Sequence, residues 1–322
     1  MNSTKLNILA ALLFLSISVH GQCYLRELPT DEATDLVNGN EERSSGNIQI
    51  DQWIQFELNP ILQIFNLNSK FFFYDDGDNP NALATCDCNS SGSCDGIVKF
   101  GKNLLYQETY SYNGGRDAVI GVLAHEFAHI LQCKRQWFDR DKKKELHADF
   151  MAGYILGQKA NFQFTNIASF ANTLFQLGSD SFSDEASHGN PEERVRYMTL
   201  GSYYRSLNAN DAYDVGKRWL EGTIGNYNIY GDWQSTSGNK FRVFNQSGNT
   251  YYQSLITGIT TSAAQIEQNV FRALFYQMNQ FGQPARDMYG NLIIIDQIDL
   301  VVVDSRKIIA SSRQGTSVWT RL

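Results

Sequence analysis

The segment His125–His129, with the sequence HEFAH, constrains the fold more than any other stretch of this chain. It lies in a strongly periodic run from about Arg116 to Cys133, which predicts a helix with Asp117 in its favourable first turn. Residues four apart lie on one helix face, so both imidazoles can point at a single ion. Glu126 lies beside them, where its carboxylate can take the proton of a metal-bound water. The segment therefore predicts a helix that carries a metal site.

A second helix, predicted over about residues 141–158, supplies candidate acidic ligands. A catalytic zinc ion takes three protein ligands and keeps one position for water. A third histidine six residues after His129 is excluded, because an arginine stands there. Glu145 and Asp149 are four residues apart and share a helix face, so one can bind the metal while the other accepts the free N–H of a ligand histidine. The residues alone leave Glu145, Asp149 and His147 as alternatives for the third ligand.

HEFAH followed by ELHADFMAGY resembles the gluzincin zinc metallopeptidases, especially bacterial neutral zinc metallopeptidases with HExxH and ExxxD motifs. The resemblance covers about residues 95–200. It implies three zinc ligands, His125, His129 and Glu145. It also implies that Glu126 is the general base and that Asp149 supports a ligand histidine. The gap between the two motifs is shorter than in most such families, which requires a tight turn through residues 137–144.

A further similarity lies in SHGNPEER, at residues 187–194. Related peptidases carry a histidine, then small residues or proline, then an arginine after the second motif. The resemblance implies that His188 donates a hydrogen bond to the oxyanion of the tetrahedral intermediate, and that Arg194 braces Asp149 or the loop. The alternatives are a solvated loop histidine and a surface arginine. An Asn-Pro pair just before the arginine predicts the start of a helix.

The first 21 residues have the pattern of a secretory signal. Lys5 precedes an apolar stretch from Ile8 to Val19, which is too short to cross a bilayer, and Gly21 offers a cleavage point before Gln22. We expect an exported protein, periplasmic or extracellular, without stable membrane insertion after signal cleavage. The alternative is an uncleaved membrane anchor.

Export permits disulfide bonds among the five cysteines. Cys86, Cys88 and Cys94 lie in the loop-like segment CDCNSSGSC. The first two are too close in sequence to bridge each other comfortably, so we expect one of them to pair with Cys94. The other can reach Cys133 or Cys23. A second zinc site made by the three clustered cysteines is the alternative.

Periodicity and turn signals place further elements before and after the metal motif. The sequence predicts a helix over 51–66 and a strand over 70–74. The acidic segment DDGDNPN at 75–81 fails the calcium-loop spacing and is typical of a turn. Residues 96–107 are expected to form a strand or hairpin along which an extended peptide could lie. A third helix is predicted over 164–177.

After about residue 222 the composition changes to Gly, Asn, Ser, Tyr and Thr. The predicted elements here are a β-hairpin, a helix and two strands, at residues 240–255, 263–281, 292–295 and 300–303. We therefore expect residues 223–322 to form an accessory α+β region whose role the sequence does not define.

The sequence as a whole predicts an α+β fold with a mainly helical, zincin-like metallopeptidase core and a small N-terminal sheet. This core is expected over residues 22–222, with the accessory region over 223–322. The predicted function is that of an exported zinc-dependent endopeptidase that binds one catalytic Zn²⁺ and acts on peptide or protein substrates. A net charge of -7 argues against nucleic-acid partners. The alternative is a non-catalytic exported binding protein built on a metallopeptidase scaffold.

Overall fold

The computed structural model describes residues 22–24, 41–78, 80–88, 94–110, 115–137, 142–159, 167, 189–280, 283–312 and 315–322. The predicted signal peptide over residues 1–21 lies outside these described residues. His188 also lies outside them, as does the predicted helix over 164–177 apart from Ile167.

The predicted fold class is wrong, because the protein is not a mainly helical, zincin-like core with an α+β appendage. Helices account for 38% of the structure and strands for 34%, so neither type dominates. The C-terminal part forms a closed eight-stranded barrel, and its described residues from 223 onwards contain no helix. The protein therefore combines a helical region that covers a small sheet with an all-β barrel.

The helices lie before the barrel in the chain. Within the described residues they are α1 (Ile48–Phe65), α2 (Lys102–Tyr110), α3 (Gly115–Lys134), α4 (Lys142–Gly157), α5 (Pro191–Tyr203) and α6 (Ala209–Leu220). Periodicity predicted α1, α3 and α4 to within about three residues at either end. The start of α5 is also confirmed, since Asn190 caps it and Pro191 occupies its first turn. None of the described helices combines the length and apolar character needed to span a membrane.

The small sheet contains β1 (Gln22–Tyr24), β2 (Lys70–Tyr74), β3 (Ala82–Cys88) and β4 (Cys94–Gly101), in the order β1-β3-β4-β2. Strand β4 pairs with β3 on one side and with β2 on the other. It is therefore not an edge strand, and the expectation that a peptide adds to residues 96–107 is wrong. Strand pairing already satisfies the backbone groups that such a peptide would need.

The second half of that segment is helix α2 rather than strand, because Asp76 caps it from the preceding turn. The Asp76 carboxylate accepts hydrogen bonds from the backbone N–H groups of Asn103 (2.8 Å) and Leu104 (3.1 Å). It also accepts one from Asn81 (3.1 Å). The carboxylate thus satisfies N–H groups that lack a partner at the helix start. The acidic segment at 75–81 thus behaves as turn and cap, in agreement with the predicted turn.

The barrel is an antiparallel meander in which each strand pairs with its sequence neighbours and the last strand closes on the first. Its strands are β5 (Gly231–Ser235), β6 (Lys240–Gln246), β7 (Asn249–Ser254), β8 (Thr260–Glu267), β9 (Val270–Tyr276), β10 (Ile294–Asp304), β11 (Lys307–Ser312) and β12 (Gly315–Arg321). Closure pairs Trp319 of β12 with Ser235 of β5. Trp233, Val243, Leu300 and Ile308 are among the buried side chains that fill the interior.

A left-handed turn residue explains why residues 263–281 form two strands and not one helix. Asn269 adopts a positive φ of 60° between β8 and β9, a conformation that asparagine tolerates and that ends regular structure. Its side chain also accepts a hydrogen bond from the Tyr227 N–H at 3.1 Å. The two strands then pair with each other and with the rest of the barrel.

The outer face of the barrel packs against the helical region. Val270, Val301, Val303 and Ile309 belong to the same buried apolar cluster as the helix residues. Because β10 also sends Leu300 and Val302 into the barrel, it is buried on both faces, which explains its continuous apolar run.

A disulfide bond joins Cys86 of β3 to Cys133 near the end of α3. This is one of the pairings that the sequence left open. The register of β3 and β4 places the backbone of Cys88 directly opposite that of Cys94. The sheet is thus covalently attached to the helix that carries HEFAH.

Removing this bond is expected to destabilise the protein. The closed loop spans a sequence separation of 47, for which chain entropy predicts a loss of about 4 kcal/mol. Urea unfolding of the Cys86→Ala/Cys133→Ala variant should show this loss as a lower midpoint. Reductant should lower the midpoint of the wild type more than that of the double variant, which lacks this bond. A wild-type midpoint that is insensitive to reductant under unfolding conditions would contradict a stabilising disulfide.

Candidate metal centre

Two histidines on α3 and one glutamate on α4 converge in the protein interior. His125 and His129 are fully buried, with their rings nearly perpendicular and their Nε2 atoms 3.0 Å apart. Glu145 lies in the first turn of α4. Its Oε2 is 3.4 Å from His125 Nε2, and its Oε1 is 3.5 Å from His129 Nε2. These three residues can hold a metal ion.

Asp149 and Arg194 fix the proton on His125. The buried Asp149 accepts two hydrogen bonds from Arg194, at 2.8 Å from Nε and 2.9 Å from a terminal nitrogen. Burial raises the pKa of Asp149, but the charge and hydrogen bonds of Arg194 and the hydrogen bond of His125 outweigh it and lower that pKa. The ionised carboxylate lies 2.9 Å from His125 Nδ1 and can only accept. Nδ1 therefore carries a proton, and Nε2 is the nitrogen that presents a lone pair when the ring is neutral.

A hydrogen-bonded chain fixes the proton on His129 in the same way. His147 Nε2 lies 3.0 Å from the Tyr213 carbonyl, so this nitrogen must donate and Nδ1 must accept. Gln132 Nε2 supplies that proton at 3.2 Å and also donates to the Lys144 carbonyl at 2.8 Å. The amide is therefore oriented with Oε1 towards His129 Nδ1, 2.9 Å away. His129 must donate to it, which leaves Nε2 as an acceptor.

The same chain excludes His147 as the third ligand. Both of its ring nitrogens are engaged, one by Gln132 and one by the Tyr213 carbonyl. Burial lowers the pKa of His147 to about 4, although the hydrogen bond to Tyr213 opposes this effect. The ring is neutral at pH 7 and packs edge-on against Trp137 and Tyr213. His147 thus supports the site through its hydrogen bond with Gln132 and does not face the cluster.

The geometry of the cluster stabilises a positive charge. With both Nδ1 atoms protonated, the two Nε2 lone pairs and the Glu145 carboxylate form a set of acceptors without a donor among them. The pKa of His125 reflects this stabilisation. Burial lowers it, but the hydrogen bonds and charges of Asp149 and Glu145 outweigh burial and raise it to about 9. Burial instead lowers the pKa of His129. A positive charge, either a proton or a metal ion, relieves the repulsion between the acceptors.

Glu126 is fully buried beside His125 on α3, and neither carboxylate oxygen has a hydrogen-bond partner among the described residues. Burial raises its pKa to about 8, and the Glu145 charge acts in the same direction. His125 and Arg194 oppose this shift. Leaving a buried carboxylate without partners is costly, and native proteins keep such groups where a water, an ion or a reaction needs them.

A capping box at the start of α5 brings Arg194 to the site. Asn190 accepts a hydrogen bond from the Glu193 N–H at 2.9 Å, and the Glu193 carboxylate accepts one from the Asn190 N–H at 3.1 Å. Lys142 at the start of α4 forms an ion pair with Glu193 at 2.9 Å. The next residue, Arg194, then faces Asp149. His188 lies outside the described residues, and its predicted contact with an oxyanion remains a prediction.

The sequence motifs assign no role to Gln132, yet its side chain orients His129. The available signal was its position three residues after His129, which places the two side chains on the same helix face.

The Gln132→Met substitution tests this network. It keeps the length of the side chain but removes the acceptor for His129 and the donor for His147. We expect metal affinity to fall about 10- to 100-fold, as is typical when the support of a ligand histidine is removed. Competition titration with a chromophoric chelator measures this change. Gln158→Met, near the end of α4, is the matched control and should bind metal as the wild type does. Equal affinity in both variants would show that Gln132 does not position His129.

Comparison with protein-family models, with curated proteins and with solved structures gives no match to this chain. The resemblance to metallopeptidases therefore rests on the short motifs themselves. The function has to be inferred from the geometry of the buried cluster.

Proposed function

We propose that this protein is an exported zinc-dependent endopeptidase. One observation carries the proposal: a buried cluster of two imidazoles and a carboxylate that can hold a metal ion lies beside a second buried carboxylate without hydrogen-bond partners among the described residues. A structural metal site needs only ligands, usually four of them and often thiolates. Glu126 has no purpose beside such a closed site.

The ligand types favour zinc among the common metals. Two neutral imidazoles and one carboxylate are ligands of catalytic zinc sites, which keep a fourth position open. Calcium and magnesium prefer sets made of oxygen atoms only. The proposed ligands are therefore His125, His129 and Glu145, with Asp149 and Gln132 orienting the two imidazoles.

Glu126 is the proposed general base. A zinc ion in this site supplies a Lewis acid that polarises the substrate carbonyl and acidifies water. Glu126 takes the proton of the attacking water and returns it to the leaving nitrogen of the peptide. Its carboxylate is available for this task because no described side chain holds it. Arg194 keeps Asp149 ionised, so that His125 retains its proton on Nδ1 and its lone pair on Nε2.

Two further observations bear on the alternatives. The Cys86–Cys133 disulfide supports export, since such bonds persist in oxidising compartments. A non-catalytic binding protein is supported less well, because a scaffold gains nothing from the desolvation cost of Glu126.

The Glu126→Gln substitution separates catalysis from metal binding. It preserves shape but removes the base, so we expect zinc content to stay unchanged and peptide cleavage to fall about 10²- to 10⁴-fold. Mass spectrometry of a diverse peptide library measures cleavage, and elemental analysis measures zinc. Glu192→Gln, an exposed position on α5, is the matched control. Cleavage by the Glu126→Gln variant at the wild-type rate would overturn the assignment of the base. No cleavage by a zinc-loaded wild type would favour the binding-protein alternative.

Metal removal should abolish cleavage and lower thermal stability together. Zinc at 100 times its dissociation constant is expected to stabilise the folded state by about 2.7 kcal/mol, because the unfolded chain lacks the site. Thermal unfolding with zinc, cobalt, manganese or calcium measures the preference. The Glu145→Ala variant should lose most of this stabilisation. A larger shift with calcium than with zinc would contradict the proposed metal.

A further inference from the structure

The mouth of the barrel contains a cavity that the proposed peptidase reaction does not use. Its volume is about 600 Å³, which is typical of small-molecule sites. It lies at the end of the barrel that carries the β7–β8 turn. The β8–β9 turn, which contacts α5 through the Arg196–Glu267 ion pair, lies at the opposite end. Eight-stranded barrels have room either for packed side chains or for one small ligand.

Aromatic rings form the floor of this cavity. Phe241 stacks on Trp319, with centroids 4.3 Å apart and planes at 15°. Tyr252 stacks on Phe241 at 5.4 Å, and Phe275 meets Tyr252 edge-on at 5.8 Å. Trp319 and Tyr252 are buried, and Phe241, Tyr252 and Phe275 line the cavity. The floor thus offers aromatic surface to whatever enters the mouth.

The walls add isoleucines, two hydroxyl groups and one carboxylate. The described lining residues other than the aromatic ones are Ser254, Thr257, Ile259, Ile295, Asp296 and Ile298. None of these described residues carries a positive charge. The lining is therefore apolar with one negative group.

The carboxylate points to the inside of the barrel. Asp296 lies directly opposite Phe275 in the register of β10 and β9, so the two side chains share a sheet face. Phe275 packs against the interior cluster, and so does Ile298, two residues further along β10. One oxygen of Asp296 accepts a hydrogen bond from the Gln297 N–H at 2.8 Å. The other oxygen has no partner among the described residues.

We infer that the mouth of the barrel binds an organic cation, a primary ammonium or guanidinium group attached to an apolar body. Aromatic faces attract a cation through their quadrupole, and the inward carboxylate supplies the charged hydrogen-bond acceptor. The isoleucines accommodate the apolar body. The Asp296 carboxylate would repel an anionic ligand. A purely apolar ligand would remove water from this carboxylate without replacing its hydrogen bonds.

Three six-carbon probes test the inference on the whole chain by isothermal titration calorimetry: hexylammonium, 1-hexanol and hexanoate. We expect hexylammonium to bind most tightly and hexanoate least tightly. Asp296→Asn should weaken hexylammonium about tenfold and leave hexanol unchanged, because only the cation uses the charge. Phe241→Leu keeps an apolar floor but removes a π face, so it should weaken hexylammonium more than hexanol.

Asp304→Asn is the matched control, since it makes the same charge change at the other end of β10. It should leave all three affinities unchanged, and thermal unfolding checks that each variant is folded. Equal or tighter binding of hexanol or hexanoate would overturn the inference. So would an absence of hexylammonium binding, or wild-type affinity in Asp296→Asn. N-acetyl-lysine methylamide then separates the two sources of such a group: affinity equal to that of hexylammonium indicates a lysine side chain, and weaker affinity indicates a free amine.

Discussion

The close approach of two buried imidazoles is the constraint on which the rest of this structure depends. His125 and His129 present their Nε2 atoms to each other at 3.0 Å, with a carboxylate as the third member of the cluster. Such a set repels itself unless a cation lies among its members. Arg194 donates two hydrogen bonds to Asp149. A metal ion held by His125, His129 and Glu145 would add positive charge to this buried cluster. This arrangement explains why so many polar side chains can be buried between α3 and α4.

The barrel contributes to the centre through α5. Arg194 reaches Asp149 from this helix, and two residues later Arg196 forms an ion pair with Glu267 at the β8–β9 turn. That pair is partly exposed and contributes little stability by itself. The apolar contact of Val270, Val301, Val303 and Ile309 with the helical core is the larger attraction between the two parts. The barrel thus helps to hold the helix that keeps Asp149 ionised, which in turn holds the proton of His125 on Nδ1.

Local patterns made much of the helical region predictable, and non-local pairing made the barrel unpredictable. The HEFAH helix, the helix that carries Glu145 and the Asn190 cap all depend on residues within a turn or two of each other. Residues 263–281 have apolar positions that suit a helix and also suit two strands, and short windows cannot separate these outcomes. Pairing decides between them, because β12 must return to β5 from more than 80 residues away for the barrel to close. A turn at Asn269 is visible in the sequence only as one asparagine among many.

The same distinction between local patterns and non-local contacts applies inside the candidate metal centre. The members of the cluster could be identified in part from spacing, because His125 and His129 share a helix face and Glu145 is one of three candidates for the third position. Their protonation could not, since it is set by a carbonyl at Tyr213, 66 residues after His147. That carbonyl can only accept, which fixes the proton of His147, then the orientation of the Gln132 amide and finally the proton of His129. A backbone atom that carries no sequence signal therefore determines which nitrogen of His129 faces the cluster, and only the folded arrangement of α3, α4 and α6 reveals it.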